Sequence, residues 1–128
     1  MRIQRTHIND LHFEHQMWLS ETAFYGDQLT IFQKRLDEIA KRNNGLEVSK
    51  AIDHFQNQFI IQKEQMDIID HEVRVHEQWL SNFPKEHSVA LEHRFFGEHS
   101  EMYDRMETFK RLFNELKTEF YEFMEKKM

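Results

Sequence analysis

Apolar side chains recur along this chain at alternating spacings of three and four residues, a period that only an α-helix can gather onto one face. The repeat runs through three long stretches without losing register. The first carries Ile8, Leu11, His15, Trp18, Thr22, Tyr25, Leu29, Phe32, Leu36 and Ile39. The second carries Ile52, Phe55, Phe59, Gln62, Met66, Ile69, Val73, His76, Leu80 and Phe83. The third carries Glu92, Phe95, His99, Met102, Met106, Phe109, Phe113, Leu116, Phe120 and Phe123. Within each seam a few polar residues stand where the period demands a core residue.

The stops between stretches are short. Asn43-Asn44-Gly45 predicts the end of one helix in a left-handed residue, with Asn44 and Glu47 capping the next. Ser81-Asn82-Phe83-Pro84 predicts a second break, with Pro84 in the first turn of the third helix. The expected elements are helices at about residues 6–42, 47–82 and 84–126, within a single domain covering 1–128. Two short connections between three long helices make an all-α, up-down-up antiparallel three-helix bundle. Secondary stripes, Met17, Phe24 and Ile31 on the first helix and Ile61, Ile68, Val75 and Trp79 on the second, are expected to widen the buried faces. Faces that wide on thin rods favour pairing into a homodimer.

Composition narrows the function classes. With three Gly and one Pro, the chain lacks the turn residues of a β architecture. A net charge of −6 argues against nucleic-acid binding, which needs a basic face. No apolar run is long enough to span a membrane, and the polar start MRIQRTHIND does not read as a signal peptide, so a cytoplasmic location is expected. The absence of cysteine leaves neither disulfides nor thiolate metal sites. Nine histidines in 128 residues is the unusual count.

Those histidines fall into a pattern once the helices are folded back on one another. Reflection about residue 45 sets His15 opposite Val75, and reflection about residue 84 sets His76 opposite Glu92. His15, His76 and Glu92 are then expected in one layer, with Glu72 one turn further in and Glu21 and His99 about two turns further in. Imidazoles and carboxylates from all three helices thus meet at one end of the core. Burying such carboxylates without a cation or proton partner costs several kcal/mol each. Nitrogen and oxygen donors of this kind hold iron, manganese and zinc in proteins.

The candidate metal ligands are therefore His15, Glu21, Glu72, His76, Glu92 and His99, around one ion or two, with iron or manganese ahead of zinc. An iron or manganese centre would open redox, dioxygen or peroxide chemistry, with Tyr103 placed for electron transfer. No catalytic residue is assigned: there is no phosphate loop, no nucleophilic Cys, and no Ser set against a His–Asp pair. His12, His71 and His93 crowd the same end on flanking positions, whereas His54 reads as surface and Gln62 as a register device. The row Glu14, Glu21, Gln28 and Arg35 reads as a half-exposed flank. The alternative function is a non-catalytic interaction module whose buried His/Glu network sets helix pairing.

The plan resembles the helical-bundle metalloproteins of the ferritin-like and hemerythrin-like kinds, without their ligand motifs. Ferritin-like chains use Glu-x-x-His on two helices, whereas Glu72 and His76 are four apart and the seams hold no Glu-x-x-His. Hemerythrin-like chains use four helices with His-x-x-x-Glu and His-x-x-x-His, an order not found here.

Overall fold

The computed structural model describes residues 5–83 and 87–127, apart from the side chains of residues 5–8. Three helices account for nearly all of it: α1 (Arg5–Arg42), α2 (Leu46–Ser81) and α3 (Val89–Lys127), with no strand among the described residues. Partners on α2 fall in number as those on α1 rise: His15 meets Glu77, Thr22 meets Asp70 and Gln33 meets Gln56. Trp79 against Phe95 and Phe59 against Phe120 show the same reversal between α2 and α3. Each helix therefore runs opposite to the one before it, and α1 lies alongside α3 in the same direction.

The helix ends differ from expectation in their chemistry. No described residue has a positive φ, so the first break uses no left-handed residue. Instead the Asn43 side chain donates to the Ile39 carbonyl at 2.9 Å and satisfies the end of α1. The residue before α2 is Gly45, extended at φ −72°, with no side-chain cap, in place of the expected Asn44–Glu47 pair. The third helix starts later than the sequence suggests. His87 and Ser88 are not helical, and the Ser88 hydroxyl accepts the Leu91 backbone N–H at 3.1 Å, capping α3. Pro84, expected in its first turn, lies outside the described residues.

That late start changes which layers coincide. His76 meets His99, not Glu92, so the mirror point between α2 and α3 falls at residue 87 or 88 instead of 84. His99 moves out to the His15–His76 layer, and Glu92 moves about two turns toward the tip.

The seams are buried as their period requires, and the core divides in two. The larger part holds Trp18, Leu29, Phe32, Leu36, Phe55, Phe59, Phe113 and Phe120 among others. The smaller lies at the tip, where Leu11, Leu80 and Phe95 pack with Trp79, Phe83 and Phe96. Between them sits the histidine layer. Gly26 lets α1 approach α2 closely, since a Cβ there would lie 3.2 Å from the Met66 sulfur.

The secondary stripes are not covered. Met17 (45%), Phe24 (56%) and Ile31 (63%) are exposed on α1, as are Ile61, Ile68 and Val75 on α2, and only Trp79 is half-buried. Three helices can cover one stripe each, and the inner seam takes that place. No described helix is long and apolar enough to cross a membrane.

Candidate metal centre

Seam positions point inward, so the residues at 15, 76 and 99 are buried regardless of their polarity. His15 is fully buried, and His76 and His99 are 5% and 6% exposed. Each comes from a different helix. One nitrogen from each ring lies within 4.8 Å of the others, and the ring centroids are 5.1 to 5.6 Å apart. Aromatic walls close the layer on both sides: Phe95 stacks on His76 at 4.2 Å, and Trp18 lies 4.9 Å from His99.

Two carboxylates hold the triad from outside. His15 Nδ1–H donates to Glu77 Oε1 at 3.2 Å, and His99 Nε2–H donates to Glu14 Oε1 at 2.8 Å. His12 also donates to Glu77, which locks that carboxylate across the α1/α2 gap. These partners fix the neutral tautomers, leaving a lone pair on His15 Nε2 and on His99 Nδ1. His15 Nε2 accepts from His76 Nδ1–H at 3.1 Å, and that tautomer leaves the pair on His76 Nε2. Both His76 Nε2 and His99 Nδ1 are buried without a hydrogen bond. Lone pairs backed by outer carboxylates, as on His15 and His99, are how proteins prepare imidazoles for a metal.

The electrostatics keep His15 and His76 neutral. Burial pushes the His76 pKa down to about 4, helped by the neighbouring His15 and His99 and opposed weakly by the Phe95 backbone. Burial also lowers His15, against the hydrogen bond it donates to Glu77, with His99 adding to the lowering. A neutral imidazole is the form that ligates a metal, so these two rings can bind a cation without first losing protons. The buried triad can hold a metal ion.

The three predicted carboxylates sit elsewhere. Glu21 accepts from Lys110 at 3.0 Å, and Glu72 pairs with Arg105 on the α2/α3 surface. Glu92, 1% exposed, accepts from His87 Nε2 at 2.6 Å in the first turn of α3, where the helix dipole favours its charge. His71 and His93 are exposed, and His54 pairs with Glu119 at the far end. Tyr103 is 46% exposed, its ring 6.4 Å from Trp18. Gln62 is buried in the seam.

Glu77, Glu14 and His87 are the contributors that the seam pattern passes over. Glu77 follows His76 and Glu14 precedes His15, so both stand on flanks rather than on the seam. Reflection about residue 45 does bring Glu77 beside His12, and that was the available signal. Comparison with protein-family models, with curated proteins and with solved structures gave no match to this chain.

Proposed function

We propose that the protein binds one divalent transition-metal ion through His15, His76 and His99. The observation that carries the reading is the convergence of three imidazole nitrogens from three helices within 4.8 Å, at the break between two apolar clusters. A tetrahedral ion with bonds of about 2.0–2.1 Å needs nitrogens roughly 3.4 Å apart, which small ring rotations supply. Loading exchanges the His15–His76 hydrogen bond for two metal bonds.

Three imidazoles with no carboxylate among them favour zinc. Non-haem iron prefers two histidines with a carboxylate, and manganese prefers oxygen donors. A second ion would need bridging carboxylates, and Glu21 and Glu72 are engaged with Lys110 and Arg105. Outer contacts from Glu77 and Glu14 offset the charge of a single dication.

Elemental analysis of protein purified without a metal-affinity tag tests this directly. Near-stoichiometric zinc is expected, lost in His76→Ala while circular dichroism still reports a helical chain. A protein that stays metal-free after incubation with zinc, and whose melting temperature ignores zinc and chelator alike, overturns it. The reading left standing would then be an interaction module. The His76–His15 hydrogen bond would fix helix register, and the exposed Phe13, Phe24 and Ile31 would meet a second copy.

A further inference from the structure

Three gaps between helices lead to the histidine layer, and they are not alike. His12 and Glu77 bridge the α1/α2 gap. Glu14 and the buried Trp18 lid the α1/α3 gap. Among the described residues the α2/α3 gap opens at this height, as a cleft of about 500 Å³, and His76 is the triad member that lines it. His76 is 95% buried by its 5% exposure, and its Nε2 makes no hydrogen bond. His76 thus stands between the cleft and its own buried lone pair, so an ion that draws on that lone pair would lie one side chain from the opening.

The walls state what kind of ligand. Val75, Trp79 and Met102 give the cleft apolar surface. Its charged residues are Glu72, Glu98 and Glu101 against a single guanidinium, Arg105, which is already paired with Glu72, and the exposed His71 imidazole stands beside them. Glu98 is drawn toward Arg94 at 3.3 Å, outside the lining. The mouth is therefore net negative, and the charge of a dication behind it is offset by Glu77 and Glu14. An approaching anion meets repulsion, and the guanidinium among the lining residues is already engaged, whereas an uncharged donor loses nothing.

We propose that the ion bound by the triad keeps a fourth coordination position facing the α2/α3 cleft, and that this position takes small uncharged nitrogen or oxygen donors in preference to anions. The inference rests on the three-histidine metal site and extends it. Three protein ligands and one exchangeable position distinguish a reactive metal site from a closed structural one.

Cobalt(II)-loaded protein allows the test, because its visible absorption reports each change of coordination. Cobalt content is measured first. A protein that does not take up one equivalent refutes the metal site itself, and the inference goes with it. With one equivalent bound, imidazole is expected to shift the spectrum saturably, and azide to bind about tenfold more weakly or worse. Val75→Trp, which narrows the cleft without touching a ligand, is expected to weaken imidazole binding at least about tenfold at unchanged cobalt content. The double variant Glu98→Lys/Glu101→Lys should close or reverse the gap between imidazole and azide. A loaded protein whose spectrum ignores imidazole overturns the proposal with the metal site intact. So does one that binds azide as tightly as imidazole, or one indifferent to Val75→Trp.

Discussion

The two halves of the bundle use the same seam spacing for opposite ends. In the half near Phe120 the seam positions carry aromatic rings: Phe32, Phe55 and Phe59 surround Phe120 at 5.1 to 5.4 Å, and the buried polar Gln62 follows only one turn beyond Phe59. In the other half the same positions bring His15, His76 and His99 together. Both sets are buried, because burial follows the period and not the residue type. The contrast shows what the polar set lacks. A ring cluster is complete once packed, but an imidazole layer keeps buried lone pairs that still favour a partner.

Substitution at the aromatic end gives the largest expected effect. Phe120→Ala removes a fully buried ring and should cost about 3–5 kcal/mol in urea unfolding, equally with and without added zinc. A loss that depends on zinc would mean that the two halves are coupled more tightly than their separate clusters suggest.

Acid should act on the histidine half. His76 has a folded pKa of about 4, below its ordinary 6.5, so the unfolded chain binds the proton first. Metal-free protein is therefore unaffected above about pH 6.5 and loses stability as pH falls from there toward 4, by on the order of 3 kcal/mol in full. Urea titrations of wild type and His76→Leu across that window measure it, and the variant should show a much flatter dependence. Equal slopes would mean that other groups carry the acid response.

A smaller effect belongs to the outer carboxylates. Glu77→Gln should weaken zinc binding about 10–100-fold while leaving the fold intact, because His15 loses its charged acceptor. Competition titration with a chromophoric chelator gives the number, and an unchanged affinity would remove Glu77 from the site. Smallest of all is Gly97→Ala, on the open side of α3 where a Cβ meets nothing within 4 Å. It should add up to about 1 kcal/mol through helix propensity alone. Thermal melts with and without zinc should rise together, since the change touches neither half of the core.

The inner seam was legible in the sequence because period alone determines it: from Phe55 to Leu80, and from Glu92 to Phe120, every seam residue is buried. Height was not legible. Where α3 begins decides which of its residues faces His76, and Pro84 is a weaker start signal than the Ser88 hydroxyl on the Leu91 N–H. A shift of the mirror point by about one turn carried His99 into the layer and Glu92 out of it. The stripe Met17, Phe24 and Ile31 stays exposed for a different reason: hydrophobicity marks what a face could bury, while the number of neighbours decides what it does bury. Glu77 and Glu14 were hidden because a carboxylate that reaches a seam histidine from the flank leaves no trace in the period.

The division of the core has a consequence for how the chain comes apart. Leu11, Leu80 and Phe95 form too small a nucleus to hold three helix ends against fraying. His15 and His76 are 61 residues apart in the chain, so an ion joining them acts as a cross-link closing a long loop. Occupancy would then decide whether the tip opens independently or unfolds only with the whole rod, making amide exchange there a gauge of cation supply.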